Sequence, residues 1–592
     1  MSESVHKGLE KPRAGRERIR RQLIWNRLIA VVEEQAQALI RTAFGTPTRE
    51  AGDLSAGVFL PDGRMLAQAV TGTPGHVNSM ADSVLHFLKA FPAPSMQDGD
   101  VFITNDPWKG TGHLYDVVMV TPVFHGSADA RHMVALFAST VHVVDIGGLG
   151  AGPDALEIYH EGLFIPILRF AAQGVIDPTV LDIVRANVRE PEQVEGDLHA
   201  LVACNDVGAR RLQHLLREFA LADLLDVGDH ITERSAQAMR DALREWPKGT
   251  WHNQMTVDGY DTPVQLQASV TLTDEEILVD FTGTSGTVAR GINVPKAYTD
   301  AYTSFGIRCL IGADVPNNTG SLNAIRVSAP QGSILNALPP AAVAARAAIG
   351  QMLPDLVFGA LRQARPDKVP AEGASSLWNI RLTGGQPIEG GPNDALRRAR
   401  RFNTTSFTTG GTGARPGLDG LSATAYPSGV RNVSLEILET QAPLLFRRKE
   451  YRVDSGGAGA ARGGLGQVIE VENALGEPMV LAATWDRVRF APRGALGGGD
   501  GAAGAARLKH SGVVLRGKGR QLVPAGELLV VETPGGGGLG DARQRDRRQL
   551  VRDLEAGLVS RQAAQTLYGL PIPGPSESPV RELDISNDAT VS

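Results

Sequence analysis

Cysteine is almost missing from this chain: its 592 residues include two, Cys204 and Cys309. They lie far apart and outside any C-x-x-C or Cys/His spacing, so neither a disulfide framework nor a thiolate zinc site is expected. Aromatic residues supply 5% of the chain, which points to an aliphatic interior. No apolar run approaches the ~20 residues needed to cross a bilayer. The basic stretch between Lys7 and Arg27 is interrupted by Glu10 and Glu17, so it reads as the solvated start of a helix and not as a targeting segment. These absences predict a cytoplasmic protein without membrane contact. A large charge of either sign is lacking too. A net charge of -6 offers no basic field and excludes a general nucleic-acid binder.

Nucleotide and nucleophile motifs are equally scarce. No G-x-x-x-x-G-K-[ST] run occurs, which removes a phosphate loop of that kind. The G-x-G-x-x-G at Gly499, Gly501 and Gly504 follows a glycine-rich loop instead of a strand, and so does not read as a dinucleotide site. Ser455 lacks the G-x-S-x-G elbow of a hydrolase.

What the chain has in plenty is glycine, 68 residues, which implies many tight turns and close approaches of backbone. At this length a single core is not expected to serve the whole chain. Ile24, Leu28, Val32, Ala36 and Leu39 recur at helical spacing. Leu54 to Leu60, the turn Pro61-Asp62-Gly63 and Met65 to Val70 read as a hairpin, and Val101 to Thr104, Val117 to Phe124 and Met133 to Thr140 as strands. Residues 175–245 read as helical. From Trp251 the composition shifts to Val, Thr, Gly and Pro with alternating runs, predicting a mostly β region broken by short helices, one of them across Ala341 to Leu361. The expectation is an α+β protein. It divides into a flexible start (1–20), a mixed N-terminal region able to bind metal (21–248), a large, mostly β, Gly-rich region (249–540), a short C-terminal helical segment (541–570) and a disordered tail (571–592).

Residues able to do chemistry crowd between 105 and 148: Asp106, His113, Asp116, His142 and Asp145. They include two H-x-x-D pairs, each beside a strand end and near glycines. Residues three apart in an extended strand point to opposite faces, so such a pair can share an ion only where the backbone turns. The glycines permit that turn. Imidazole and carboxylate without thiolate suit Zn, Mn, Fe or Co. The plainer alternative is that these are satisfied strand-end and turn residues. His76, in Thr73-Pro74-Gly75-His76, is a further candidate.

The chain resembles the hydantoinase B/oxoprolinase family, with relatives among acetone-type carboxylase subunits. The likeness is carried by Gly52-Asp53-Leu54-Ser55, Gly75-His76-Val77-Asn78, Asn105-Asp106-Pro107-Trp108, His113-Leu114-Tyr115-Asp116, His142-Val143-Val144-Asp145, Glu161-Gly162-Leu163, Asp454-Ser455-Gly456-Gly457 and Thr533-Pro534-Gly535-Gly536. The resemblance implies a metal site of Asp53, His113, Asp116 and His142, with Asp106 and Asp145 orienting ligands or taking a proton. It implies a subunit that opens a hydantoin or lactam ring after a hydantoinase A-type partner activates the substrate with ATP. ATP would be bound by that partner, in a hetero-oligomer. Two alternatives stay open: an ATP-dependent ketone carboxylase subunit, and a non-catalytic scaffold with a structural metal. Tyr115 and Ile167 depart from the family's more usual prolines, which implies a differently shaped substrate pocket.

Overall fold

The computed structural model describes residues 3–385 and 401–571. The N-terminal part is built on a seven-stranded antiparallel sheet. Its strands are β1 (Leu54–Phe59), β2 (Met65–Gln68), β3 (Val101–Thr104), β4 (Asp116–His125), β5 (His132–His142), β6 (Leu168–Ala172) and β7 (Val175–Ile176), in the order β2-β1-β5-β4-β3-β6-β7. The expected hairpin forms, with Gly63 at φ +89° in its turn. Helices cover both faces. Helix α1 (Glu3–Thr42) extends through the residues expected to be a flexible start, and its apolar stripe packs Leu28, Val32 and Leu39 onto one face beside Val58, Leu54 and Ala56. Helix α2 (Pro74–Ala90) lays Met80, Val84 and Phe87 on the other, against Phe59 and Phe102. Because both faces are covered, β1 is buried at every position and shows no polar alternation. The helical stretch expected over 175–245 resolves into α3 (Pro178–Asn187), α4 (Pro191–Glu218) and α5 (Leu225–Arg244). Of these, α4 lies beside α1 on the same face of the sheet.

A second sheet, β11-β10-β9-β8, comprises β8 (Gly249–Val257), β9 (Val264–Leu272), β10 (Ile277–Asp280) and β11 (Ile325–Ser328). Strand β9 alternates cleanly: Val264, Leu266, Ala268, Val270 and Leu272 enter the core while the residues between them are half-exposed. Helix α6 (Lys296–Leu310) and helix α7 (Leu353–Ala364) belong to that core. Here two expectations are corrected. Strands dominate this region, but its helical breaks are not all short: α6 runs 15 residues, and because it is buried on several sides it carries no amphipathic stripe for periodicity to reveal. The helix expected across Ala341 to Leu361 is instead a single helical turn, Ala347–Gly350, followed by α7. The backbone N–H groups of Val343 and Ala344 both donate to Glu161, so this stretch is held outside any helix.

Two further four-stranded sheets follow, β13-β12-β16-β18 and β14-β15-β19-β17. Their strands are β12 (Ile380–Gly384), β13 (Phe402–Ser406), β14 (Leu444–Tyr451), β15 (Gln467–Asn473), β16 (Met479–Thr484), β17 (Ala505–Leu508), β18 (Lys518–Val523) and β19 (Leu529–Glu532). They share a core in which Trp378 stacks on Trp485, ring centres 4.8 Å apart. Beside it the glycine-rich segments pack backbone to backbone. Gly536 N–H donates to Gly464, Gly538 N–H to Gly499, and Gly457 N–H to Gly536. A Cβ on Gly535, Gly536 or Gly538 would meet backbone atoms of Ser455, Thr412 or Ala458 closer than 3.0 Å. Much of the region is therefore irregular yet buried. The C-terminal helices α8 (Arg547–Glu555) and α9 (Arg561–Thr566) close over Leu550, Ala564 and Tyr568. The tail expected to be disordered lies outside the described residues from 572 onward. Among the described residues no helix is long and apolar enough to cross a membrane.

Candidate metal centre

Antiparallel register brings the site together. Asp116, the first residue of β4, stands directly opposite His142, the last residue of β5. Leu54 at the start of β1 pairs with Val141, and His142 N–H donates to the Asp53 carbonyl at 3.2 Å. Three residues up to 89 positions apart by sequence number thus meet at one end of one sheet. His113 joins from the β3–β4 loop, where Asp116 N–H reaches the His113 carbonyl at 3.3 Å and turns the H-x-x-D pair back on itself. Gly112, at φ +104°, allows this, since a Cβ there would strike the Arg346 side chain. His76 enters from the first turn of α2. Gly75 before it has no room for a Cβ because Tyr298 and Tyr302 pass within 2.7 Å of that position.

The distances are short. His113 Nε2 lies 2.7 Å and His142 Nδ1 3.1 Å from Asp116 Oδ1. On the other carboxylate oxygen converge His76 Nε2 at 2.9 Å, Arg346 Nη2 at 2.6 Å and the Thr111 hydroxyl at 2.7 Å. Asp53 stands slightly back, with Oδ1 3.6 Å from His76 Nε2 and Oδ2 3.8 Å from His142 Nδ1. Asp116 is fully buried, and each of these neighbours is buried too. Arg346 lies across the Tyr298 ring at 4.0 Å and donates its Nε to the Thr111 carbonyl. That guanidinium compensates a buried negative charge, and removing one partner of such a pair typically costs ~3–5 kcal/mol.

Protonation decides what the cluster can hold. Burial first, then Arg346, push His113 down to about 3, so its imidazole is neutral. Burial opposes ionisation of Asp116, but His113, His76 and Arg346 together keep it well below the ordinary carboxylate value. His113 meets an acceptor at each ring nitrogen, the Ala344 carbonyl 3.1 Å from Nδ1 and Asp116 Oδ1 2.7 Å from Nε2; the tautomer with its proton on Nδ1 frees Nε2 to ligate a cation. Two ligands of one ion at ~2.1 Å can be no more than ~4.2 Å apart. The separations from Asp116 to both histidines, and from Asp53 to His142, fall inside that limit. His113, Asp116 and His142 could thus hold one ion between them, with Asp53 beside them. The donor set fits a divalent ion.

Of the seven residues singled out in the sequence, five come together: Asp53, His76, His113, Asp116 and His142. Asp106 and Asp145 do not join them. Asp106 pairs with Lys109 at 2.9 Å and accepts from Trp108 N–H. Asp145 pairs with Arg189 at 2.8 Å. Sequence reasoning missed Arg346, the lone cation in an alanine-rich run, as well as Tyr298 and Arg381. Asp53, His76, His113 and His142 border a small pocket of about 60 Å³, and His142 also borders a groove of about 790 Å³. Tyr115 stacks on His142 with ring centres 5.5 Å apart and lines the groove.

Fold and pocket first define a class: a multi-sheet, mixed helix-and-strand protein with a buried imidazole–carboxylate centre suited to a divalent ion. Within that class the chain belongs to the hydantoinase B/oxoprolinase family, whose family model matches residues 17–542. It is 27% identical to the B-type subunit of a putative D-/L-hydantoinase from Pseudomonas sp., over 93% of this chain and 94% of that one. Its structure is similar to that of an ATP-dependent caprolactamase from Pseudomonas jessenii, with TM-score 0.85, 26% identity and coverage of 94% and 97%. It also shares the fold of an acetone carboxylase in a nucleotide-free state, with TM-score 0.81, 18% identity and coverage of 94% and 80%.

Proposed function

We propose that this chain is the metal-bearing, ring-opening subunit of an ATP-dependent cyclic amidase, working with a hydantoinase A-type subunit that binds ATP. The observation that carries the reading is the meeting of neutral His113, ionised Asp116 and His142 around one point, with Asp53 beside them. Its neighbours in sequence and fold, named as a hydantoinase subunit and a caprolactamase, support a cyclic amide as substrate. His113, Asp116, His142 and Asp53 would hold Zn, Mn, Fe or Co. Such an ion supplies Lewis acidity and a nucleophilic oxygen at neutral pH.

The chain's own residues do the rest. Arg346 and Thr111 occupy the second oxygen of Asp116, so the first is presented to the ion. Ala344 fixes the His113 ring. The partner transfers a phosphoryl group to the amide oxygen. One water then adds to the amide carbon and the ring C–N bond breaks, the nitrogen leaving as the amine with a proton, which gives an acyl phosphate; a second water cleaves this to the free carboxylate and inorganic phosphate. In this proposal the first water's proton goes to Asp53 Oδ1, with His76 next in line at 3.6 Å. Asp106 and Asp145, whose carboxylates are bound to Lys109 and Arg189, act as positioning residues.

The test is to co-express the chain with its nucleotide-binding partner and assay hydantoins, 5-oxoproline and larger lactams with ATP, with and without bicarbonate. His142→Ala and Asp116→Ala are expected to lose bound metal and at least 100-fold in ring opening. Full activity in both variants would refute the reading. A strict bicarbonate requirement would replace it with ketone carboxylation. Metal retained in a form that accepts no exchangeable ligand, with no turnover, would make the chain a scaffold.

A further inference from the structure

Arg381 stands in β12 on the face opposite Ile380 and Leu382, which are buried in the core of that sheet. Along this outer face Thr383, Thr405, Ala482 and Leu522 line the large groove, each on a different strand or one pleat along the same strand. Arg381 lines this groove and also the small pocket beside Asp53, His113 and His142. It is therefore at the passage between the two.

Its charge is not neutralised locally. Among the described residues Arg381 forms no ion pair, its Nη1 donates to the Ala151 carbonyl, and its buried Nε has no hydrogen-bond partner. The groups near enough to act on it electrostatically are Tyr115 and Asp53. Most of the other arginines along the groove are already engaged: Arg49 holds Glu50, Arg189 holds Asp145, and Arg520 donates to the Leu149 carbonyl. The described acids on the same lining are Asp154 and Glu190, and Asp154 accepts from Tyr260. A half-buried guanidinium that lines both cavities and has no acid partner among the described residues suits an oxyanion.

We propose that Arg381 is an oxyanion subsite that holds an anionic group of the substrate at the groove's inner end and so places the reacting carbon beside the His113–Asp116–His142 centre. The occupant is a tetrahedral phosphoryl group or a planar ring carboxylate. The proposal rests on the ring-opening reading for the identity of that occupant, but the anion site itself does not.

The test titrates the full chain, bound to its partner where one co-purifies, with inorganic phosphate and separately with acetate. Binding is followed by calorimetry in wild type, Arg381→Lys and Arg381→Gln, alongside melting temperature and metal content. At least one anion is expected to bind wild type. Its affinity should fall tenfold or more in Arg381→Gln and less in Arg381→Lys, with metal content unchanged. Preference for phosphate assigns the subsite to the phosphoryl group, and preference for acetate to a ring carboxylate. Equal binding in wild type and Arg381→Gln, or no binding to wild type, overturns the proposal. Should Arg381→Gln fail to fold, unchanged affinity in Arg381→Lys for both anions has the same force. A wild-type chain that bound phosphate through Arg381 but held no metal would sink the ring-opening reading and leave the subsite standing.

Discussion

Glu161 explains why a carboxylate outside the cluster belongs to the same motif set. Its Oε1 accepts from the N–H groups of Val343 at 2.7 Å and Ala344 at 2.8 Å, and the carbonyl of Ala344 meets His113 Nδ1. One acid thus holds the strap that sets the Ala344 carbonyl against His113 and delivers Arg346. Burial pushes the Glu161 carboxyl up to about 8, against the two N–H groups and Arg346, which pull it down. A carboxyl raised in the folded state contributes stability that is complete below its unfolded value of ~4.3 and is lost as pH rises through about 8. At ~1.4 kcal/mol per pH unit the loss across this window is on the order of a few kcal/mol. Glu161→Gln keeps an acceptor for both N–H groups but cannot ionise. Denaturant unfolding at pH 5, 6.5 and 8 should therefore show wild type losing stability with rising pH more steeply than the variant. Parallel curves would mean that Glu161 does not titrate in this range.

Among elements, two devices dominate: strand ends in register, and glycine segments without side chains between them. The first was legible. The hairpin, β3, β4 and β5 were visible as short apolar runs, the hairpin also from its turn residues, and the candidate ligands His113, Asp116 and His142 stood out as strand-end pairs near glycines. Their convergence was not legible from spacing, because it depends on β1, β5 and β4 being neighbours, a fact of pairing between distant segments. The glycine packing was visible as composition and opaque as structure. Gly536 is required because Thr412 backbone occupies the place of its Cβ, whereas Gly476, at φ +66° with nothing within 4 Å, answers only to its own backbone conformation. Gly476→Ala is expected to cost ~1–2 kcal/mol, the left-handed penalty for a side chain. Gly536→Ala must push apart backbone segments that are packed in contact, and should cost ~3 kcal/mol or more. Thermal melts of the two variants side by side separate these mechanisms. Equal small shifts would show that the bundle yields.

For the molecule as a whole, the cluster is a joint between segments with separate cores. Asp53, Asp116 and His142 come from the N-terminal sheet, Arg346 comes from the strap that leads towards α7, and Tyr298 on α6 supports Arg346. No sequence pattern announced Arg346 or Tyr298, because each acts through a contact across this joint, Arg346 lying 230 residues from Asp116. Stability should accordingly depend on what the cluster holds. In the tautomer with its proton on Nδ1, His113 Nε2 and the Asp116 oxygen 2.7 Å away repel, and a bound ion would convert the same contact into attraction. A ligand that binds only the folded state stabilises it by ~2.7 kcal/mol at 100 times its dissociation constant. Stripping the chain with a chelator is expected to lower its melting temperature by a few degrees, and returning Zn or Mn in excess should restore it. His142→Ala, which removes one ligand at the edge of the buried set, should melt at the same temperature with and without chelator. A wild-type melting curve indifferent to chelator and to added ions would show that these residues join the segments by hydrogen bonds alone.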